Sequence, residues 1–278
     1  MKGFCDLHIH STYSDGTLTP EQLIREAEKT GLGAVALCDH NTVAGLPDFL
    51  AAARGSAVRA VPGIEFSTDW RGGELHILAL FVEPEHYGTV GQRVAEMMLR
   101  KEQSNLNLVA ALKEAGIVLD YAAIKAGTPN GQVNRAVIAS EMVRRGYCGS
   151  VKEAFQRWLS PKHGYFVPPK RLDALETIRF IRSIGAVSVL AHPFLNLSEE
   201  GLREFLREAR ELDGMETEYS TFTREQRALA REIAGEFGLA ESGGSDFHGE
   251  NKPDILLGTG RGDLAVPVEY LRGLEAKK

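Results

Sequence analysis

Residues 3–40 read GFCDLHIHSTYSDGTLTPEQLIREAEKTGLGAVALCDH, and this stretch decides the fold. Its apolar segments, residues 3–9 and 34–38, predict two short buried strands. Between them, Thr19 is a favourable N-cap and Gln22 completes a capping box, so a helix is expected to begin there. A strand, a helix and a strand in this order predict two parallel strands with the helix packed against the sheet.

Strand and helix patterns alternate on both sides of a long helical stretch. Two more strands are predicted at residues 58–65 and 74–82. Residues 88–169 instead contain amphipathic helical patterns, and strands resume after them. We therefore predict an α/β barrel formed by residues 1–87 and 170–278, with a helical insertion domain at residues 88–169. Because repeated strand–helix units are typical of parallel sheets, the barrel strands are expected to be parallel.

The composition is that of an ordinary globular protein and argues against several classes. The chain has 278 residues, 25% of them charged, and a formal net charge of −6. This acidic balance argues against a strongly basic face for duplex DNA. Three cysteines are too few and too scattered for a disulfide framework. Since we find no signal peptide and no run of apolar residues that could span a bilayer, a cytoplasmic protein without a membrane partner is expected.

Histidines mark one edge of the predicted barrel. Of the eight in the chain, six lie at or just after predicted strand ends, or in short motifs with acidic residues. These are His8, His10, His40, His76, His192 and His248. Functional side chains of parallel α/β barrels collect at the C-terminal ends of the strands. Residues two apart in a strand point the same way, so His8 and His10 can present both imidazoles to one metal ion, with Asp15 reaching in from the next loop.

Carboxylates accompany these histidines. Glu65 ends the third predicted strand, where a carboxylate could bridge two cations. Asp246 and His248 follow a Gly-Gly-Ser turn, whose glycines let the backbone pass close to a crowded site. Asp39 either caps the helix that follows it or orients an imidazole. His76 lies in an apolar strand, where a lone histidine usually belongs to the core, so its assignment as a ligand depends on the other residues.

Taken in order, these motifs resemble the polymerase and histidinol phosphatase (PHP) family of metal-dependent phosphoesterases. The resemblance spans nearly the whole chain, and no metal-ligand position of the family pattern is missing. The matching segments are DLHIHS (6–11) with SDG (14–16), DH (39–40), PGIE (62–65), His76, AHP (191–193) and GSDFH (244–248).

The resemblance implies a distorted (β/α)7 barrel of the PHP type with a centre of three divalent metal ions. It assigns His8, His10, Glu65 and Asp246 to one ion. Glu65 would bridge to a second ion, which His76 and His192 complete. The third ion would be held by Asp15, His40 and His248.

The insertion carries a narrower resemblance, to the subgroup of 3',5'-nucleoside bisphosphate phosphatases and a related 5'-to-3' exoribonuclease. The matching segments are VNR (133–135), KHGY (162–165) and VPP (167–169). This similarity implies that the insertion forms a lid that binds substrate. Arg135 would contact a phosphate through its guanidinium group, assisted by Lys162 and Tyr165; the alternative for Arg135 is a solvated helix residue.

The expected reaction is hydrolysis of phosphate monoesters by a metal-activated hydroxide. Asp246 would receive or orient the proton of that hydroxide, and either His192 or His248 would protonate the leaving oxygen. Oxygen and imidazole ligands fit Mn, Zn or Fe, of which we favour Mn. The expected partner is a phosphorylated small molecule, in particular a nucleotide, or a short 5'-phosphorylated RNA.

Three alternatives remain open from the sequence. A histidinol-phosphate-type phosphatase would use the same centre on a different substrate. A metal-dependent hydrolase of C–N or C–O bonds would keep the fold and change the chemistry. A regulatory module with a vestigial centre is the non-enzymatic alternative, although it is disfavoured because all nine candidate ligands are present.

Overall fold

The barrel and the insertion form separate compact units along the chain. The computed structural model describes residues 3–128, 131 and 133–278. One unit contains the residues up to Gly91 together with Leu172–Lys278, and the other contains Gln92–Arg171. The strands are β1 (Phe4–Ile9), β2 (Ala34–Leu37), β3 (Arg59–Trp70), β4 (Gly73–Leu80), β5 (Leu172–Asp173), β6 (Val187–Leu190), β7 (Gly214–Tyr219), β8 (Ala240–Gly244) and β9 (Val266–Pro267).

Helices lie between most of these strands and make up the insertion. They are α1 (Pro20–Thr30), α2 (Leu46–Ala52), α3 (Tyr87–Glu114), α4 (Tyr121–Gly127), α5 (Arg135–Arg144), α6 (Val151–Ala154), α7 (Ala174–Ser183), α8 (Glu199–Glu208), α9 (Arg224–Phe237) and α10 (Val268–Glu275). Helix α1 begins with the predicted capping box, in which Thr19 and Gln22 each accept a hydrogen bond from the other's backbone N–H. Among the described residues, no helix is long and apolar enough to cross a membrane.

One mixed sheet curves into a nearly closed barrel. Its strands follow the order β8-β7-β6-β4-β3-β2-β1-β9, and β5 lies beside β3. A parallel bridge between Ile9 and Phe247 joins β1 to the residues that follow β8, so the two sides of the sheet meet. In the part of the chain that the structure describes, the seven strands β1–β4 and β6–β8 therefore form the wall of the barrel. The prediction of a distorted (β/α)7 barrel is confirmed.

The prediction of parallel strands is wrong for β4. This strand pairs antiparallel with both β3 and β6, whereas β1, β2 and β3 are mutually parallel, as are β6, β7 and β8. The cause is a tight turn: Arg71 and Gly72 have φ angles of 53° and 83°, so the chain reverses without an intervening helix. As a consequence, His76 near the start of β4 lies opposite Ser67, towards the C-terminal end of β3.

Apolar side chains from neighbouring strands anchor the barrel. Leu7, Ala36, Val61, Leu78 and Val189 are almost completely buried and belong to one core cluster. Burying a leucine or valine side chain contributes roughly 1.5–3 kcal/mol to stability. This packing fixes the relative positions of five strands, and with them the polar residues at the strand ends.

The second unit is helical and has its own core. Leu108 and Leu112 of α3 pack with Ile138 and Met142 of α5 and with Leu159. Helices α4, α5 and α6 each begin at a residue whose side chain accepts a hydrogen bond from the first turn, namely Asp120, Asn134 and Ser150. These caps satisfy N–H groups that would otherwise lack partners.

Candidate metal centre

Nine polar side chains from different parts of the barrel unit converge on one cluster. Each lies within 4.0 Å of at least one other member, counting imidazole nitrogens and carboxylate oxygens. Strand β1 supplies His8, the segments after β1, β2, β6 and β8 supply other histidines, and the reversed strand β4 supplies His76. The members are His8, His10, Asp15, His40, Glu65, His76, His192, Asp246 and His248, which are the nine residues predicted as ligands.

Glu65 lies at the middle of the cluster and is fully buried. Its Oε1 lies 2.7 Å from Nδ1 of His76 and 3.2 Å from Nε2 of His192. Its Oε2 lies 2.8 Å from Nδ1 of His40, 3.3 Å from Nε2 of His10 and 3.4 Å from Nε2 of His8. Because the two oxygens face different sets of imidazoles, the carboxylate is suited to bridging two cations.

A second carboxylate, Asp15, faces the other side of the cluster. Its Oδ1 lies 3.2 Å from Nε2 of His248, 3.8 Å from Nε2 of His40 and 4.0 Å from Nδ1 of His10. Nδ1 of His248 lies 2.8 Å from the backbone oxygen of Asp246. A carbonyl oxygen only accepts hydrogen bonds, so Nδ1 carries a proton, and Nε2, which faces Asp15, is the nitrogen placed to bind a metal.

The donor atoms form groups with the dimensions of metal sites. Three sets of donor atoms each lie within 4.8 Å of one another: His10 with Asp15, His40 and His248; His8 with His10 and Asp246; and His40 with Glu65 and His76. These sets overlap with the three ligand groups expected from the sequence. They differ in sharing His10 and His40 between neighbouring groups and in omitting His192, whose Nε2 is nevertheless close to Glu65.

Unpaired buried atoms indicate that the cluster fits cations. Among the described residues, Oδ1 of Asp15, Oε2 of Glu65 and Nδ1 of His192 are buried and have no hydrogen-bond partner. A buried polar atom without a partner costs about 1–3 kcal/mol. Nε2 of His8 and Nε2 of His10 also lie only 3.1 Å apart. Several divalent ions would satisfy the two carboxylate oxygens and separate the two facing imidazole nitrogens, and the donor types suit Mn, Zn or Fe.

The charges in the cluster depend strongly on one another. Burial would lower the pKa of His8, but the carboxylates of Glu65, Glu216 and Asp246 outweigh burial and raise that pKa well above its usual value. Burial would raise the pKa of Glu65, but His40 and other imidazoles hold it well below the usual range. Without cations, the cluster is therefore held together by ionised carboxylates and protonated imidazoles.

His10 behaves in the opposite way. Burial, followed by the neighbouring charges of His248 and His40, lowers its pKa well below the usual value. Its ring is thus neutral at physiological pH, which is the form that binds metals. Nε2 of His10 lies 3.1 Å from Oδ1 of Asp246, so a shared cation could bind both atoms.

Backbone conformation also adapts to the centre. His192 and Asp246 have φ angles of 30° and 56°, in the left-handed region that non-glycine residues rarely adopt. Such strain costs about 1–3 kcal/mol per residue and concentrates at functional sites. Gly244 passes so close to β1 that an added Cβ would lie 2.4 Å from Cβ of His8. The close approach expected at this glycine turn is therefore present.

Residues of β7 and of the loop after β8 that contact the cluster were missed in the sequence. The hydroxyl of Tyr219 donates to Oδ2 of Asp246 at 2.7 Å, and Nζ of Lys252 donates to the same oxygen at 2.6 Å. Glu216 lies 3.0 Å from Nδ1 of His8. Glu216 and Tyr219 have partners 208 and 27 residues away, so no local pattern distinguishes them from ordinary strand residues. Lys252 lies six residues after Asp246, in a loop whose path the sequence does not specify.

Asp39 was expected to cap a helix or to orient an imidazole, and its oxygens do neither directly. They accept hydrogen bonds from the backbone N–H and hydroxyl of Ser11 and from the hydroxyl of Ser14. The Ser14 hydroxyl lies 3.5 Å from Nδ1 of His10. Asp39 thus holds the loop after β1, and influences His10 only through Ser14.

The predicted substrate-binding residues belong to the insertion unit. Arg135 begins α5, donates to the backbone oxygen of Leu159 at 3.2 Å, and stacks over the ring of Phe166, 4.3 Å from its centroid. The ring of Tyr165 packs on Trp158, and Lys162 is exposed on a short helical turn. Arg135 therefore contacts the segment that carries Lys162 and Tyr165.

Comparison with known proteins identifies relatives of the whole chain. The PHP domain model matches residues 6–164. The chain is 33% identical to a 5'-3' exoribonuclease of Haemophilus influenzae, over 87% of this chain and 89% of that protein. It is 27% identical to a 3',5'-nucleoside bisphosphate phosphatase of Chromobacterium violaceum, over 90% of each chain. Among solved structures, a Bifidobacterium adolescentis protein assigned to the metal-dependent phosphoesterases superposes with a TM-score of 0.83 and 27% identity, over 98% of this chain and 96% of that one.

Proposed function

The chain belongs to the PHP domain family and is a metal-dependent phosphoric ester hydrolase, and we propose that its substrates are phosphate esters of nucleotides. The substrates we favour are 3',5'-nucleoside bisphosphates and short 5'-phosphorylated oligoribonucleotides. The relatives that carry these activities match almost the full length of the chain.

The observation that carries this proposal is the convergence of nine donor side chains on one cluster, in which Glu65 and Asp15 each face several imidazoles. We assign them as ligands of three divalent ions, with Mn favoured and Zn or Fe as alternatives. Bound cations would lower the pKa of a water molecule and stabilise negative charge on phosphate oxygens. The sharing of His10 and His40 between neighbouring donor groups supports closely spaced ions.

Two residues of the cluster are assigned to proton transfer, Asp246 as the acceptor and a histidine as the donor. Asp246 directs Oδ1 towards His10, while Oδ2 is held by Tyr219 and Lys252. This geometry supports Asp246 as the group that receives or orients the proton of the attacking water. Because Nδ1 of His248 is engaged with a backbone oxygen and Nδ1 of His192 has no partner, we favour His192 over His248 for protonating the leaving oxygen.

The charge distribution supports an anionic substrate that reaches the insertion. Residues 92–171 contain 13 Lys and Arg against six Asp and Glu, a formal charge of +7. The whole chain carries −6, so the remaining residues carry −13. A unit with a net positive charge is suited to attract phosphates. We propose that the insertion, residues 88–169 in our assignment, acts as a lid in which Arg135, Lys162 and Tyr165 bind substrate phosphates.

A substrate panel tests this function. Purified protein supplied with Mn²⁺ would be given 3',5'-nucleoside bisphosphates, 5'-phosphorylated oligoribonucleotides of two to five nucleotides, histidinol phosphate, and a set of amides and lactones. We expect the first two classes to be hydrolysed with the highest kcat/KM. Preference for histidinol phosphate would contradict the nucleotide assignment.

The products distinguish the two favoured activities. Hydrolysis of a 3',5'-bisphosphate to inorganic phosphate and a nucleoside monophosphate, with oligoribonucleotides left intact, indicates a phosphatase. Stepwise release of mononucleotides from the 5' end of an oligoribonucleotide indicates an exonuclease. The net charge of the insertion favours the second activity, because each additional nucleotide adds a phosphate that the basic unit can bind. A kcat/KM that does not rise with oligonucleotide length would contradict this preference.

A further inference from the structure

Glu216 contacts two proposed metal ligands without belonging to any of the donor groups. It lies on β7 and is fully buried. Its Oε1 lies 3.0 Å from Nδ1 of His8, and its Oε2 accepts a hydrogen bond of 2.6 Å from the backbone N–H of His192. One carboxylate therefore joins two residues that, in the assignment above, serve two different cations.

The contact with His8 determines which ring nitrogen is available to a metal. An ionised carboxylate accepts hydrogen bonds and cannot donate them, so Nδ1 of His8 must carry the proton in this contact. In the neutral ring that metal binding requires, Nε2 then presents its lone pair to the centre, where it lies 3.1 Å from Nε2 of His10 and 3.4 Å from Oε2 of Glu65. The carboxylate thus selects the tautomer of His8 that can bind a cation.

The contact with His192 acts on the backbone. His192 has a φ of 30° and a ψ of 56°, a left-handed conformation that is unfavourable for a residue with a side chain. The short hydrogen bond from its N–H to Glu216 helps to hold this conformation. Its imidazole is thereby directed at Glu65, with Nε2 3.2 Å from Oε1.

We propose that Glu216 is a positioning residue that fixes His8 and His192 together as metal ligands. This inference rests on the proposed metal centre. Both partners donate to Glu216, so the site requires two acceptor oxygens. A glutamine at this position would offer one oxygen and one NH₂ group. If its oxygen accepts from His192, its NH₂ group faces Nδ1 of His8 and favours the tautomer with the proton on Nε2, which cannot bind metal.

The experiment compares Zn²⁺ affinity in the wild type, E216Q and E216D by competition with a chelating indicator, with Zn²⁺ content measured per chain. We expect E216Q to bind Zn²⁺ about 10- to 100-fold more weakly, as for other residues that orient metal ligands. E216D keeps two acceptor oxygens on a shorter side chain, so its affinity should lie between those of the wild type and E216Q. The matched control is E241Q, since Glu241 on the neighbouring strand β8 binds Thr217 and Tyr270 and none of the ligands.

A second measurement reads the tautomer directly. Long-range ¹H–¹⁵N NMR spectra of the Zn²⁺-loaded wild type should show His8 protonated at Nδ1 and free of a proton at Nε2. A proton on Nε2 would overturn the proposal. If E216Q does not fold, this NMR measurement on the wild type tests the proposal without the variant. Folded E216Q with wild-type Zn²⁺ affinity, or an equal loss in E241Q, would also overturn it. A wild type that takes up no Zn²⁺, Mn²⁺ or Fe²⁺ would instead contradict the metal centre itself.

Discussion

The buried hydroxyl of Tyr219 donates a hydrogen bond of 2.7 Å to Oδ2 of Asp246. Burial, reinforced by the negative charge of Asp246, raises the pKa of Tyr219, so the phenol keeps its proton throughout the physiological range. With Lys252 on the same oxygen, Oδ2 is fully occupied and Oδ1 alone faces His10. The two oxygens of Asp246 therefore have separate roles, one structural and one directed at the proposed centre.

Replacing Tyr219 by phenylalanine should test this division. The substitution removes one hydrogen bond to a charged group, which is worth about 1.5–3 kcal/mol, so kcat/KM should fall roughly 10- to 100-fold. The measurement is steady-state hydrolysis of the best nucleotide substrate with saturating Mn²⁺. Y270F is the matched control, because Tyr270 binds Glu241 away from the cluster. Equal activity in Y219F and Y270F would contradict the role assigned to Tyr219.

His10 should be indispensable, because it belongs to two of the three donor groups. We expect H10A to lose at least one metal ion per chain and to have no measurable turnover. Metal content by mass spectrometry and phosphate release are the two measurements. H86A provides the comparison, since His86 lies outside the cluster on a short turn. A folded H10A protein with normal metal content and activity would refute the centre.

All nine candidate ligands could be identified from the sequence, because strand ends and short motifs place them at one rim. His76 reaches that rim for a different reason than expected. The strand that carries it runs antiparallel to β3, after a two-residue turn at Arg71-Gly72. The two consecutive glycines at residues 72 and 73 are typical of a β-hairpin. The antiparallel pairing could thus have been anticipated, although the alternation of elements elsewhere favoured parallel strands.

Glu216 could not have been found in this way. It lies in the strand GMETEY, in which every residue is buried. The pattern of polar and apolar residues therefore does not predict which side of the sheet each side chain occupies. Its partner His8 is 208 residues away. The two residues meet because the sheet curves into a barrel, and this contact cannot be predicted from a single sequence. The same holds for Tyr219, which lies on the same strand, 27 residues from its partner Asp246.

Chelation should inactivate the enzyme reversibly. Treatment with EDTA followed by desalting should abolish phosphate release, since no residue of the cluster can replace the cations in stabilising phosphate charge. Added Mn²⁺ should restore activity, and titration should approach three ions per chain. Activity that persists after the metal content falls below a tenth of an ion per chain would rule out the proposed mechanism.

Metal uptake should release protons. Burial would lower the pKa of His76, but Glu65 and then Glu74 raise it to about 10, so without cations the ring is protonated at pH 7.5. Proton binding therefore stabilises the cation-free fold below the ordinary histidine pKa of about 6.5, and this contribution is lost as pH rises through about 10. Because ligation needs the neutral ring, cation affinity should weaken as pH falls. Calorimetric titration of Mn²⁺ in buffers of different ionisation enthalpy measures the protons released, and zero release would contradict the assignment of His76.

Arg135 provides the test of the insertion as a substrate-binding unit. If its guanidinium contacts a substrate phosphate, R135A should lower kcat/KM by roughly 2 to 4 kcal/mol, which is about 30- to 800-fold, chiefly through KM. R135K should recover only part of this loss, because an ammonium group cannot make a bidentate contact. R144A is the control, since Arg144 belongs to the same helix, is exposed and pairs with Glu141.

Arg135 also stabilises its own unit, by stacking on Phe166 and by donating to the backbone oxygen of Leu159. Thermal unfolding of R135A must therefore be compared with that of the wild type. A role confined to packing predicts a lower Tm with an unchanged KM at temperatures where the protein remains folded. A role in substrate binding predicts a raised KM for nucleotides at those same temperatures, and an unchanged KM in folded R135A would assign Arg135 to packing alone.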